Sequence, residues 1–546
     1  MSPLGMAVAD SSARTGVAAD DKRATPTSLR ADWVIGASTL EAIGDALRGL
    51  PLAPVTALQA PRRSRAGCGV VSILALMMQT SCAVGPDFQR PDAPDVTGYL
   101  SPREGPSGSV AVNGADIAAR WWRVFGSRAL ERLIEDGIAN NPDLAAAEAA
   151  VRVAQANALA LRGTLLPVVT ADFNASRQKI SDPVSSGLAS GADLYSLHTA
   201  QVSVSFVPDV FGGTRRAIEA ADAQAEQAAF QREATYVTLA TNIALAAIQE
   251  ASLRGQIAAT RRLIDIQTQL LEVLRNQNNR GQIALPDVVA QETAVAQARL
   301  LLPPLDRQLA QQRNLLATLT GRFPSEKLPA AFELQSFRPP RRLPLSLPAD
   351  LIRQRPDVRA AEANLHAANA QIGVAIANRL PQITLTANAG STAQSIGQLF
   401  APGTGFWTIA GDAAATVFDA GNRYYKQRSA EEATAQAAAQ YRSVVLTAFQ
   451  NVADVLRALE ADNRALAAAV AAEDSARRGI ELVRSQVERG QVSSPVLLNA
   501  QQAYLQTSLA RVQAQAARLA DVVALFQALG GGWWNRTPPA QESLVQ

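Results

Sequence analysis

The sequence predicts a mainly α-helical protein with a small β part, built from one unit that occurs twice. Three observations predict this fold class. Short motifs recur in the same order, long proline-free stretches hold helix-forming residues, and four segments alternate apolar and polar side chains. We expect each unit to contain a helix, a β-hairpin and a long helical hairpin.

The duplication is visible in paired motifs. Asn141-Pro-Asp-Leu opens the first copy, and Arg355-Pro-Asp-Val opens the second. Further pairs are Leu166-Pro167 with Leu380-Pro381, Arg280-Gly281-Gln282 with Arg489-Gly490-Gln491, and closing leucine and glycine residues at Leu319 and Gly321 with Leu529 and Gly530. The spacing slips by only a few residues, which indicates a duplicated structural unit and not a short-period solenoid. We therefore expect repeats over 142–321 and 356–532.

Composition divides the rest of the chain. We expect an N-terminal extension with a signal peptide over 1–81, an N-terminal segment over 82–141, a crossover over 322–355, and a C-terminal tail over 533–546. The crossover is rich in proline and arginine, a composition typical of an irregular connection and not of a helix.

A signal sequence is predicted well downstream of Met1. Three arginines before position 66 precede the apolar run Val70 to Met78, and Thr80-Ser81-Cys82 follows. The run is too short for a transmembrane helix. This order predicts a lipoprotein signal with Cys82 as the lipid acceptor, and a mature protein without residues 1–81; the alternative is a buried hydrophobic segment. Cys68 and Cys82 are the only cysteines, so the mature chain would keep no free thiol.

Four segments alternate, at 169–176, 201–206, 382–389 and, less regularly, 406–415, and each is predicted to belong to a strand of about ten residues. A sandwich strand with its apolar side inward alternates in the same way. Strands of this length also cross a bilayer when tilted. Four strands cannot close a barrel alone, and an open edge is not tolerated in lipid. If these strands lie in a membrane, several chains must pool them.

Two very long helices are predicted, from Thr214 to Arg280 and from Asn422 to Arg489. In the first, apolar residues recur every seven positions, with Glu250 and Thr260 as the breaks. The two rows are Leu239, Ala246, Leu253 and Thr260, and Ile243, Glu250, Ile257, Ile264 and Leu271. Sustained sevens indicate coiled-coil packing. A cytoplasmic coiled-coil scaffold would have the same rows, but the signal and the alternating strands count against it.

Composition and motifs favour no catalytic or nucleic-acid-binding class. The net charge of +3 is near neutral for 546 residues, which does not indicate nucleic acid. The two histidines, His198 and His366, are far apart and have no partner at metal-ligand spacing. Because no phosphate-binding loop or nucleophile motif occurs, we predict no enzyme activity and no cofactor.

Together these motifs resemble the outer-membrane factor lipoproteins of tripartite, RND-type efflux pumps, the channel-tunnel family. The resemblance rests on Cys82-Ala-Val-Gly-Pro, Trp121-Trp122, the two repeat openings, Phe211-Gly-Gly-Thr-Arg-Arg216 and Ala528-Leu-Gly-Gly-Gly-Trp533, and it covers 82 to about 536. It implies a homotrimer whose 12-stranded outer-membrane β-barrel continues into a periplasmic α-helical barrel. It also implies an equatorial region around the helical barrel, which starts in the lipidated segment 82–141 and includes the crossover 322–355. The implied partners are a periplasmic adaptor, an inner-membrane transporter and outer-membrane lipid.

The implied function is a passive, lipid-anchored exit duct for drugs or other small molecules in the outer membrane. Two alternatives are the outer channel of a secretion or metal-export system, and a periplasmic coiled-coil structural protein. By residue type alone, the two returns between long helices are plain turns, with glycine ending one helix and proline starting the next. The resemblance implies that they form the tip that contacts the adaptor. Their residues are Arg280, Gly281 and Pro286, and Arg489, Gly490 and Pro495.

The resemblance also implies a gate near the second return. In the family, carboxylates and arginines near this tip can hold the channel shut. The matching positions here are Asn499 and Gln502, with Pro495 where an aliphatic gate residue can sit. We therefore expect the closed state to depend on helix packing and amide hydrogen bonds.

Overall fold

The structure is a computed structural model that describes residues 83–96, 98–100, 111–114, 116–179, 194–338, 340, 343–489 and 491–536. These residues belong to one compact unit, Leu76–Gln546. The unit is mainly helical with a small β part, as the sequence predicts. Among the described residues, no helix is both long and apolar enough to cross a bilayer.

The first half of the chain follows the predicted order. Its elements are β1 (Ala111–Asn113), α1 (Arg128–Asn140), α2 (Pro142–Gly163), β2 (Val168–Lys179), β3 (Leu194–Phe206), α3 (Gly213–Asn279), α4 (Leu285–Leu300) and α5 (Leu302–Leu319). The second half contains β4 (Leu343–Leu345), α6 (Pro348–Gln354), α7 (Pro356–Ala377), β5 (Gln382–Ala393), β6 (Gly405–Ala414), α8 (Asn422–Glu488) and α9 (Ser494–Ala528).

Equivalent helices in the two halves have equal lengths. Helices α2 and α7 have 22 residues each, and α3 and α8 have 67 each. The predicted bounds of the long helices agree with the structure to within a residue. At 1.5 Å per residue each long helix is about 100 Å long.

The seven-residue rows of α3 are confirmed as the packed face of the helix. All nine predicted positions are buried, including the two polar ones. The Glu250 carboxylate is fully buried and is paired with the Arg254 guanidinium at 2.8 Å and with the Arg313 guanidinium at 3.6 Å. The Thr260 hydroxyl donates to the Gln256 carbonyl oxygen at 2.9 Å. The Thr260 hydroxyl and Glu250 Oε1 therefore have polar partners inside the helix packing, whereas Glu250 Oε2 is buried without one among the described residues.

The crossover is more regular than predicted. It contains the short helix α6 and the strand β4, which pairs in parallel with β1. The largest apolar core forms beside it, where Trp121, Trp122 and Phe125 contact residues from α3 and α9. The rest of the described crossover is irregular, as predicted; these two elements were missed because a helix of seven residues and a strand of three are too short to show a period.

Candidate functional site

The four long strands form one antiparallel sheet in the order β2, β3, β5, β6. Residues that pair directly in such a sheet point to the same face. One row across the sheet is Val169, Val204, Ala387 and Ile409, and the next is Ala171, Val202, Ala389 and Trp407. The row between them on the opposite face is Thr170, Ser203, Asn388 and Thr408. The sheet therefore has one apolar and one polar face along these rows.

The apolar face lies open in the single chain. Phe173 is 58% exposed, and Trp407 and Ile409 are each 75% exposed. A sandwich strand would bury such residues against a second layer, so the sandwich alternative is wrong for this sheet. The irregular alternation of 406–415 is explained by register, because its aromatic residue Phe406 pairs with Gly390 on the polar face.

The segment that follows Cys82 is held against the helices at the base of the sheet. The backbone N–H of Val84 donates to the Phe211 carbonyl oxygen at 3.1 Å. The Arg216 guanidinium, whose side chain is only 7% exposed, donates to the Val84 carbonyl oxygen and to the Asp87 carboxylate. Cys82 itself lies outside the described residues. Its neighbours in sequence are therefore fixed beside the joint between β3 and α3.

Helix α7 completes this contact. The ring of Phe88 stacks on His366 with centroids 4.4 Å apart, and the Arg90 guanidinium pairs with the Glu362 carboxylate at 2.5 Å. His366 Nε2 lies 2.9 Å from a Glu219 carboxylate oxygen. The segment 83–90, which we name the strap, thus connects helices of both repeats.

The first return has the geometry of a tight helix end. Gly281 adopts a φ of +69°, and the Gln282 N–H donates to the Gln277 carbonyl oxygen at 2.9 Å. Pro286 lies in the first turn of α4. Arg280, Gly281 and Pro286 are all exposed. The predicted adaptor-contact residues of this return therefore lie together on an accessible surface.

The second return repeats this arrangement. The Gln491 N–H donates to the Gln486 carbonyl oxygen at 2.9 Å, the equivalent bond to that of the first return. Arg489 and Pro495 are exposed, and Gly490 lies outside the described residues. Ile266 and Leu270 of α3 pack against a cluster formed by Ile480, Leu497 and Tyr504. The two helical hairpins therefore contact each other near their ends.

The proposed gate residues share one exposed face of α9. Pro495, Asn499 and Gln502 follow a helical spacing of four and three, and all three are exposed in the single chain. Nothing within the described part of the chain hydrogen-bonds the Asn499 or Gln502 side chain. This face is therefore available to a second chain.

Three buried glutamines near the tip were not predicted. Gln291 donates from Nε2 to the Gln267 carbonyl oxygen at 3.0 Å, and Gln501 is 1% exposed. The side-chain oxygens of Gln267, Gln291 and Gln501 are buried without a hydrogen-bond partner among the described residues. A signal was present in the sequence, because Gln267 continues the row through Thr260 by seven residues.

Farther from the second return, the carboxyl groups of Asp462 on α8 and Asp521 on α9 face each other. Burial and the neighbouring Asp462 carboxyl, which is also a hydrogen-bond partner, raise the pKa of Asp521 from 3.8 to about 6. Nearer the tip, the Glu473 carboxylate accepts hydrogen bonds from Ser508 and Arg511, both at 2.5 Å. Burial raises the pKa of Glu473, but these two hydrogen bonds and the positive charges of Arg511 and Arg477 outweigh it and lower the pKa overall. In the described ranges, no cluster of three or more His, Cys, Asp or Glu side chains could hold a metal ion.

Comparison with known proteins decides the family. The model of the outer membrane efflux protein family matches residues 133–322 and 347–531. This chain belongs to that family. A toluene efflux pump outer membrane protein of Pseudomonas putida, TtgC, is 30% identical to this efflux protein over 465 residues, covering 84% of this chain and 95% of the relative.

Two further comparisons agree. A pyoverdine export outer membrane protein of Pseudomonas putida, OpmQ, is 31% identical over 427 residues, covering 77% of this chain and 89% of the relative. The solved structure of the outer-membrane channel OprN is 26% identical and superposes with a TM-score of 0.74, covering 83% of this chain and all of the OprN chain. This efflux protein is therefore an outer-membrane channel of the tripartite efflux class, and a transport protein.

Proposed function

We propose that three copies of this efflux protein form a passive, lipid-anchored exit duct. The copies pool their four strands into a 12-stranded barrel in the outer membrane, and the long helices continue it as an α-helical barrel in the periplasm. One observation carries the proposal. The sheet has an open apolar face and two open edges, which a single chain cannot satisfy in lipid.

The dimensions of the elements support this arrangement. The strands have 10 to 13 residues, which is enough to cross an outer membrane when tilted. The apolar face would contact lipid, and the polar face, with Thr170, Ser203 and Asn388, would line the duct. Helices of about 100 Å would carry the duct deep into the periplasm.

The proposed partners are assigned from the two ends of the chain's long axis, the sheet and the two returns. Lipid on Cys82 would anchor the chain beside the base of the sheet, where the strap begins. The exposed returns would contact a periplasmic adaptor. An inner-membrane RND transporter would supply the energy, since the proposed duct is passive. The adaptor-contact residues in this proposal are Arg280, Gly281, Pro286, Arg489, Gly490 and Pro495.

The closed state would be held by packing and amide groups. The exposed face with Pro495, Asn499 and Gln502 would meet its counterparts in the other two copies. Because these residues are uncharged, opening should depend weakly on salt and pH. A steep dependence of single-channel opening on either condition would contradict this gate.

Small molecules are the proposed cargo. The relatives named above are described as toluene efflux and pyoverdine export proteins, and the polar rows of the sheet contain mostly uncharged hydroxyl and amide groups. Such a lining selects by size more than by charge. The cargo class that fits is drugs or other small molecules delivered by the pump.

Planar-bilayer conductance of the purified protein tests the duct, with a matched pair of variants. Phe173→Arg places a charge on the apolar face in the middle of β2, which costs about 2–4 kcal/mol at the bilayer midplane, so insertion should be strongly reduced. Asn174→Arg places the same charge on the polar face, and conducting channels should persist with altered ion selectivity. Equal tolerance of both variants, or no conductance from the unmodified chain, would refute the proposal.

A further inference from the structure

A groove lies between helices α7 and α8, close to where the chain enters β5 and leaves β6. Its volume is about 290 Å³, and small apolar side chains such as Ala375 and Ala430 form part of its lining. No described acidic side chain lines it. The polar and basic lining residues are Gln371, Asn378, Arg423, Lys426 and Ser429. The groove therefore combines apolar contacts, hydrogen-bonding groups and two positive charges.

The uncompensated charge in this groove is that of Lys426. Its side chain is exposed, and within the described part of the chain it has no ion pair or hydrogen bond. The charge of Arg423 is partly neutralised, because its Nε lies 3.7 Å from the Asp419 carboxylate and its guanidinium also donates to the Thr416 hydroxyl. An ammonium group without a partner can donate three hydrogen bonds and attracts anions. The groove thus offers a free positive charge.

The strap shows which side of α7 the groove occupies. Gly85 of the strap lies so close to Gly373 that a Cβ added to Gly85 would be 2.5 Å from the Gly373 Cα. Gly373 is two residues from both Gln371 and Ala375, and successive residues are rotated by about 100° around a helix. The groove residues of α7 therefore point about 200° away from the strap, to the opposite side of the helix.

Helix α7 has a neighbouring helix on each of its other two sides. Arg359 pairs with Glu226 of α3, and Arg379 donates to Gln427 of α8. The three helices thus form a layer, with the strap on one face and the groove on the other. Because the strap follows the proposed lipid anchor, its face is the outer face of the proposed duct. The groove then opens into the interior.

We propose that this groove is a binding site for small organic anions, such as carboxylates, inside the duct. The inference rests on the proposed trimeric duct and names a cargo class that its interior would favour. Three copies would place three Lys426 ammonium groups at one level of the duct. Lys426 would pair with the anionic group, the amides of Gln371 and Asn378 would donate hydrogen bonds, and the apolar side chains would contact the apolar part of the ligand.

The polar face of the sheet differs in charge from the groove. Over the paired residues of the four strands, this face carries the carboxylates of Asp172 and Asp412 and no basic side chain. Attraction of anions would therefore depend on the groove and not on the lining of the sheet. Removing the charge of Lys426 alone should then have a measurable effect on which ions pass.

Reversal potentials in a potassium chloride gradient test this charge, with the purified full-length protein in planar bilayers. Lys426→Gln should lower the chloride-to-potassium permeability ratio by about 2-fold or more, whereas Lys426→Arg should retain it. Lys327→Gln removes the same charge from an exposed position of the crossover, and this matched control should leave the ratio unchanged. Position 426 is exposed and has no partner among the described residues, so its variants should fold.

Benzoate tests binding, with the neutral benzamide as its matched probe. Benzoate should reduce the single-channel current of the unmodified protein, and benzamide should reduce it much less. Lys426→Gln should raise the benzoate concentration needed for half-maximal block by about 3-fold or more, the size of effect expected for an exposed ion pair. Lys426→Arg should keep the block, because the positive charge is retained.

Charged thiol reagents test which face of the helix layer is the interior. A methanethiosulfonate that carries a sulfonate group should change the current of Lys426→Cys channels. Tyr424→Cys is the matched control, because position 424 is two residues away on α8 and so points about 200° away from position 426. Its current should not change. Unmodified protein sets the background from Cys68 and Cys82.

Three results would each overturn the groove as an anion site. They are a conducting channel whose permeability ratio is the same in Lys426→Gln, a benzoate block that is absent or unaffected by this variant, and a current change in Tyr424→Cys in place of Lys426→Cys. Absence of conductance from the unmodified protein would instead refute the duct. Failure of the groove and failure of the duct are therefore distinguishable.

Discussion

The two repeats have the same dimensions but differ in the helix that returns from the tip. In the first repeat the return is broken into α4 and α5 at Leu301, where Pro303 and Pro304 follow. In the second repeat α9 runs unbroken for 35 residues. Prolines cannot donate the backbone hydrogen bonds that a continuous helix needs. The two return arms have equal lengths, although only one is a continuous helix. This indicates that the length of the arm is constrained, whereas its local stiffness is not.

The ends of the return helices α5 and α9 also keep the same arrangement with different residues. Asn141 caps α2 and donates from Nδ2 to the Leu319 carbonyl oxygen at 3.1 Å. At the equivalent place, Arg355 donates to the Ala528 carbonyl oxygen at 2.9 Å. Different side chains thus satisfy the same orphan carbonyl at the end of the return helix.

The largest expected loss of stability comes from substituting the glycines that end the two repeats. Comparing the two losses would show whether the chain is packed equally closely at both repeat ends. Gly321 and Gly530 have φ of +70° and +90°, and an added Cβ would lie 2.2 Å from the Asn140 oxygen and 2.5 Å from the Gln354 oxygen. Alanine at either position should lower the free energy of unfolding by more than about 3 kcal/mol. Thermal unfolding of Gly321→Ala and Gly530→Ala checks this. Gly479→Ala, on an open helical position, is the control and should be neutral or slightly stabilising.

A second prediction introduces into α9 the proline that interrupts the return helix of the first repeat. Val512 occupies the place in α9 that Pro303 occupies in α5, but in mid-helix. Val512→Pro should cost about 3 kcal/mol or more because it removes a helical hydrogen bond and clashes with the preceding turn. Val512→Ala should cost about 1 kcal/mol. If denaturant unfolding gave equal losses of unfolding free energy for both variants, an unbroken α9 would not be required for stability.

Exchange of the caps has a smaller effect. Asn141→Ala should lower stability by about 1–2 kcal/mol, since it removes an N-cap and a bond to a helix-end carbonyl. Arg355→Asn should retain more stability than Arg355→Ala, because asparagine performs this role in the first repeat. Chemical denaturation would rank the three variants. Indistinguishable Arg355 variants would show that the two closures are not interchangeable.

The smallest effect distinguishes the repeats by pH. In the first repeat, Leu253 and Gln312 stand where the second has Asp462 and Asp521. The pKa of Asp521 is raised to about 6, so the folded state binds its proton more tightly than the unfolded state. Stability should therefore fall as pH rises from about 4 through 6 and stay low above it.

Asp521→Asn should remove this dependence and stabilise the protein at pH 8 by about 1–2 kcal/mol, a value reduced for partial exposure. Melting temperatures measured from pH 4 to pH 8 provide the test. A variant whose melting profile stayed parallel to that of the unmodified protein would show that the pair does not share a proton. Gln312→Asn, at the equivalent place in the first repeat, should leave the profile unchanged.

Sequence patterns predicted the elements that repeat a period. The seven-residue rows of α3 and the alternation of β2 were sufficient because burial selects one face of a long element. The strap was not predicted, since Arg90 and Glu362 are 272 residues apart and no local pattern links them. At the tip, the buried glutamines such as Gln501 were not predicted because a coiled-coil face is expected to be apolar.

Equal helix lengths restrict how such a chain can change in size. Both 67-residue helices run from the base of one sheet to neighbouring returns, and the two arms that come back are shorter but have equal spans in the two repeats. An insertion in a single arm would place one return farther from the sheet than the other. It would also shift the seven-residue rows of that arm relative to the helices that pack against them. A relative with a longer helical part would have to gain residues in all four arms at once, in steps of seven that each add about 10 Å.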